Sequence, residues 1–213
     1  LRESANRAQS EAEMARAEMK RLRDAFIDVG GSGEALDNSA AMRELRSVLD
    51  RAEKGISLTR AHFLVADGIP EYFGLDVEQQ VAKIQKIADY VKAETDRNYA
   101  RHKSEGFRET MGREEEYKLN ILVCVLRDDF KIRYIQGRPD HKKPEALFVN
   151  GLLQTKTGTC ISMPMLYVLV GEWLGYPIHL VAIKDHYFCR WDDGKYAANI
   201  EATSGGGIAD DTH

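Results

Sequence analysis

What this sequence lacks narrows it first. No apolar run is long enough to cross a bilayer: Leu119–Leu126 and Met163–Val170 fall far short of the roughly 20 residues a spanning helix needs. Lys and Arg number 30 against 34 Asp and Glu, a net charge of −4. With no global cationic field, nothing recommends nucleic acid or anionic lipid as a partner. Cysteine is sparse, with only Cys124, Cys160 and Cys189, widely spaced. Such an odd, scattered set builds neither a disulfide framework nor a zinc site of paired C-x-x-C steps. It favours a reducing compartment such as the cytoplasm and leaves a periplasmic or secreted setting open. Histidines 62, 102 and 141 have no ligand spacing with any cysteine, so no metal and no other cofactor is expected. Gly205-Gly206-Gly207 comes without a G-x-G-x-x-G pattern or a Walker lysine, and reads as a mobile loop rather than a phosphate cradle. No signal peptide is visible ahead of the charged opening stretch, and no internal repeat occurs.

What is present is a chain that can bury a core, 43% hydrophobic and 30% charged. Leu1, Ala5, Ala8, Ala12, Ala15, Met19, Leu22 and Phe26 step by four and three as a heptad seam. Gly30-Gly31-Ser32-Gly33 breaks it, and Met42, Leu45, Leu49, Ala52 and Ile56 form a second seam. Residues 1–56 therefore read as an antiparallel helical hairpin, a packing arm that could also dock a partner. Residues 57–130 continue helical, with Gly68-Ile69-Pro70 ending one helix, Asp76 capping a longer one, and Glu114–Phe130 a third. Cys124 falls in the apolar run of that third helix and is expected to be inert core. Residues 131–150, with Gly137, Pro139 and Pro144, read as irregular. A helix over Cys160–Leu174 is closed by Gly175 and Pro177, and three strands follow at Ile178–Ile183, His186–Trp191 and Lys195–Ala202.

The chemistry gathers in this last third. Cys160 stands where a loop becomes a helix, and the unpaired N–H groups of a helix N-terminus favour a thiolate and can hold an oxyanion. Gly158 is read as letting backbone approach a substrate closely. A base must reach the thiol. His186 opens a strand, where a side chain can project past the sheet rim, while His179 and Cys189 sit in apolar strands and read as packing. Asn199 and Glu201, two apart in a strand, share a face opposite Ile200. Either could accept the imidazole N–H and fix its tautomer. Gln154, six residues before Cys160, could donate to the oxyanion.

These segments carry a resemblance. Asn150-Gly151-Leu152-Leu153-Gln154 through Gly158-Thr159-Cys160-Ile161-Ser162, then Leu166-Tyr167, Leu174-Gly175-Tyr176-Pro177, Asp185-His186-Tyr187-Phe188-Cys189-Arg190-Trp191 and Asn199-Ile200-Glu201-Ala202-Thr203 resemble the transglutaminase-like superfamily, most nearly its SirB-like bacterial branch. Ile56–Glu94 resembles the helical region before the core in that branch. The resemblance implies an α+β fold, a helical N-terminal region followed by a papain-like transglutaminase core with a Cys-bearing helix on a small antiparallel sheet. It divides the chain into a 1–56 arm, a 57–130 helical region and a 131–213 catalytic core, truncated C-terminally. It implies Cys160 as nucleophile, His186 as base, and Glu201 where the family usually has Asp. Asn199 remains a rival, because papain-like enzymes use an amide there. Many SirB-like relatives lack the cysteine, so its presence favours activity. The expected function is a cysteine hydrolase or acyltransferase acting on a protein or peptide carboxamide through a Cys thioester. The alternative is an inactive binding or scaffold module of the same fold.

Overall fold

The computed structural model describes residues 43, 44, 47, 57–103, 113–135, 143–184 and 186–209. The expected 1–56 hairpin lies outside these, apart from Arg43, Glu44 and Ser47, which are helical. By compactness the chain divides into two units, Leu1–Lys83 with Asp140–Pro144, and Ile84–Pro139 with Glu145–His213.

In the first unit, Ser57 accepts a hydrogen bond from the Arg60 N–H and so caps α1, Leu58–Asp67. Thr59, Ala61, His62, Phe63, Leu64, Val65 and Ala66 are buried on this helix. Asp67 turns its carboxylate back onto the N–H groups of Gly74 and Leu75, which closes the loop after a 3-10 turn at Pro70–Tyr72. Asp76 then caps α2, Val77–His102, by accepting from Gln79 N at 2.9 Å. The long helix runs from the first unit into the second.

In the second unit, Ile84, Ile87, Ala88, Val91 and Thr95 make the buried stripe of α2, a run at helical spacing. The third helix, α3 at Glu114–Cys124, does not continue regularly to Phe130 as its apolar pattern suggests. It passes into a π turn at Val125–Asp129. Cys124 is exposed there, contrary to the expectation of core. Tyr117, Leu119, Leu122, Val123, Val125 and Leu126 are buried nearly all round the element, and Cys124 occupies the strip that is left.

Residues 131–150 hold more order than their Gly and Pro suggest. Arg133–Tyr134 forms β1, and two short helices follow, α4 at Pro144–Leu147 and α5 at Val149–Thr155. A second short strand, β2 at Thr157–Gly158, pairs parallel with β1. Next comes α6, Ser162–Leu174, ended by Gly175 in the left-handed conformation at φ 67°. It packs on an antiparallel sheet ordered β3–β4–β5–β6: Ile178–Ile183, His186–Asp192, Ala197–Glu201 and Gly207–Ala209. The last strand absorbs part of the triple glycine, which the sequence pattern presents as loop. The architecture is mixed helix and strand, an α+β fold in which α6, starting two residues after Cys160 rather than at it as expected, packs against an antiparallel sheet.

Candidate active site

Thr159 begins the site. Its Oγ1 accepts from Ile161 N at 3.2 Å and Ser162 N at 3.5 Å, while Ser162 Oγ accepts from Thr159 N at 3.0 Å. Met163 N already bonds Thr159 O at 3.1 Å. This reciprocal cap makes Thr159 a capping residue three positions ahead of Ser162, where α6 begins. Cys160 therefore stands in the capped turn leading into α6, half-buried, at the positive end of the helix dipole. The cap is anchored from outside, because both hydroxyls also donate to Ala146 O at 2.9 Å.

Gly158, just upstream, is buried and serves packing. A Cβ there would come within 2.5 Å of Leu152 Cδ1 and Met163 Cγ. Its missing side chain lets α5 close on α6, which differs from the substrate-approach role read from sequence. Below the first turn, Cys189 on β4 donates from Sγ to Pro164 O at 3.1 Å and is fully buried. Burial pushes that thiol well above its ordinary pKa, with the Glu201 charge adding to it, so Cys189 is an inert packing residue, as its apolar strand suggested.

The base region is built on β4 and β5. His186 Nε2 lies 2.8 Å from Glu201 Oε2, and both side chains are about a third exposed, at 30% and 31%. Glu201 ends β5 and caps the 3-10 turn Ala202–Ser204, accepting on Oε1 from Thr203 N at 3.0 Å and Thr203 Oγ1 at 2.5 Å. Burial raises the carboxyl pKa, but the hydrogen bonds from Thr203 and His186 outweigh it and hold the group below the usual carboxylate range. An ionised carboxylate can only accept, so Nε2 is the donor in this bond. Asn199, the rival orienter, instead accepts from Arg190 Nη1 at 2.9 Å. The structure thus joins His186 to Glu201 and assigns Asn199 another partner. Gln154 is exposed near the end of α5.

Two residues of this neighbourhood escape a reading from sequence. Thr203 belongs to the last motif with no evident task there, and it clamps Glu201. Tyr134 reads as an isolated aromatic. It pairs with Gly158 across β1 and β2, and its phenol is raised above the ordinary tyrosine pKa by burial, then by the charges of Cys160 and Glu201. Only the β1–β2 pairing, a two-residue ribbon, could have signalled this, and two residues carry no periodicity. His179 lies half-buried in β3 opposite Arg190. Among the described residues, no cluster of three or more His, Cys, Asp or Glu is placed to hold a metal ion.

Residues 78–213 match the family model of the transglutaminase-like superfamily. Among curated proteins, the chain is similar to F-box only protein 21 of mouse, 31% identical over 83 residues, and of human, 30% identical over 83 residues. Each match covers 39% of this chain and 13% of the relative, so the chain spans only a small part of those proteins. No solved structure matches the chain significantly.

Proposed function

Because the chain belongs to the transglutaminase-like superfamily, we propose that it is a cysteine enzyme of acyl transfer, with a papain-like arrangement of Cys160, His186 and Glu201. The observation that carries the reading is the His186–Glu201 hydrogen bond, with the second carboxylate oxygen already held by Thr203. A carboxylate clamped in this way orients the ring and stabilises the imidazolium that forms when the ring accepts a proton. The motifs around Cys160 and His186 support placing the chain in the SirB-like branch of the superfamily.

In the proposed cycle, Nδ1 of His186 takes the Cys160 proton, and Sγ attacks the carbonyl carbon of a peptide or side-chain carboxamide. The Cys160 N–H, at the N-terminal end of the helix, is assigned to the oxyanion, with Gln154 as a supporting donor. The C–N bond breaks, the amine leaves with the proton from His186, and a thioester remains on Cys160. Water, deprotonated by Nδ1, attacks the thioester carbon; the C–S bond breaks, a carboxylic acid leaves, and the Cys160 sulfur takes the proton back from Nδ1. Hydrolysis is the favoured outcome because water needs no second binding site, whereas an amine acceptor would give cross-linking.

The test is acylation by a p-nitrophenyl ester, followed by release of nitrophenol and by intact mass. A stoichiometric burst with one acyl adduct, lost in Cys160→Ser and in His186→Ala, is expected. A burst that persists in Cys160→Ser, or no adduct in the parent, would leave the inactive scaffold as the better reading.

A further inference from the structure

Beside the His186–Glu201 pair the second unit holds a half-open cavity of about 510 Å³. We propose that this cavity is the substrate-recognition pocket of the enzyme, and that it selects a peptide carrying an acidic side chain. The inference rests on the acyl-transfer reading and adds a substrate class to it.

The cavity lies next to the chemistry. Thr203, which clamps Glu201 Oε1, is part of its wall, and so is Tyr134, whose phenol lies in the field of Cys160 and Glu201. A group seated there is one residue, Thr203, away from Glu201. The volume falls within the range that holds small ligands, and it accommodates an amino-acid side chain with its neighbouring backbone.

Met163 and Ala202 give the wall apolar parts, which suit a short hydrocarbon stem. The charged lining residues are both cations, Arg127 and Arg133. Arg127 is largely committed: Nε and Nη2 hold Asp128 at 2.9 and 2.6 Å, and Nη1 donates to Gly205 O at 3.2 Å. Its charge is therefore balanced by Asp128. Arg133 is the surplus cation. Its Nη1 donates to the carbonyls of Arg127 and Ile132, and the Asp128 carboxylate, already paired, is 4.0 Å from Nη2. Two guanidiniums thus share the one Asp128 carboxylate, and the lining keeps a net positive charge on the half-exposed Arg133 guanidinium fork. Such a fork matches a carboxylate with two parallel hydrogen bonds, which an uncharged amide cannot reproduce.

The backbone is shaped to present these groups. Arg127 lies in the π turn, a rare form that concentrates at functional sites. Lys131 and Lys156, both non-glycine residues with positive φ at 61° and 62°, lead into β1 and β2 respectively. Arg133 N bonds Lys156 O at 3.0 Å, so both strained residues border the strand that carries Arg133 and Tyr134.

The experiment is calorimetric titration of the full Cys160→Ser chain with two capped tripeptides, acetyl-Ala-Glu-Ala-amide and acetyl-Ala-Gln-Ala-amide. The acidic peptide is expected to bind about ten-fold tighter. Adding Arg133→Gln should bring the two affinities within about two-fold, with Arg133→Lys between, since lysine keeps the charge and loses the fork. Unchanged circular dichroism in the variants separates lost recognition from lost folding. Equal affinities, no binding of either peptide, or a preference that survives Arg133→Gln would overturn the proposal. Binding needs no turnover, so an acidic preference in a chain that forms no acyl adduct would sink the enzyme reading alone. An adduct without an acidic preference would sink the pocket alone.

Discussion

Among single residues, Glu201 is proposed to orient His186 with a carboxylate one methylene longer than that of Asp. Its longer arm is taken up at the end of β5, where Thr203 fixes Oε1 through backbone and hydroxyl and Oε2 remains for His186. Glu201→Gln keeps the size and removes the charge that stabilises an imidazolium. Rates of Cys160 acylation should fall by about 10²-fold or more, measured by the nitrophenol burst. Thr203→Val removes the hydroxyl bond but leaves the backbone bond, so a smaller loss, roughly 10-fold, is expected in the same assay. The three thiols should also separate. Cys189, buried and bonded to Pro164 O, should resist alkylation until the chain unfolds, whereas exposed Cys124 should be modified in the native state. Peptide mapping of the alkylated sites checks both.

Among the elements, α6 and the glycine loop after β5 position the site. Gly206 has φ 82° and is buried, and a Cβ there would collide with Val123 Cγ1. Gly206→Ala combines a strained conformation with a clash, so it should cost about 2–4 kcal/mol in urea unfolding. The strands at Ile178, His186 and Ala197 are legible in the sequence because alternation and the Asp192-Asp193-Gly194 turn carry clear periodicity. The helix register of α2 is legible from Asp76 and the stripe Ile84, Ile87, Ala88 and Val91. The π turn, β1 and β2 are not, because a five-residue π turn and strands of two residues carry no period. Cys124 is misread for a related reason: α3 is buried nearly all round, and its dense apolar run conceals one exposed strip.

For the whole molecule, the motifs point to the family and to two members of the candidate site without coordinates, while the choice between Glu201 and Asn199 requires the β4–β5 register. That register sets Asn199 opposite Arg190, which takes the amide. Folding and protonation are also linked here. Glu201 has its pKa depressed in the folded chain below the ordinary 4.5, so the folded state binds fewer protons there than the unfolded state. Its contribution to stability is complete above 4.5 and is lost as pH falls through the folded value. Urea unfolding between about pH 5.5 and pH 3 should therefore show a steeper loss in the parent than in Glu201→Gln. Equal slopes would mean that the carboxylate contributes nothing to the fold. Whether Cys160 and His186 work as a pair is decided by the pH dependence of Cys160 alkylation with iodoacetamide in a Cys124→Ser background, with and without His186→Ala. A working pair requires reaction well below the ordinary thiol pKa of about 8.5, and loss of that low-pH reactivity in His186→Ala. A profile that follows an ordinary thiol in both chains would contradict it.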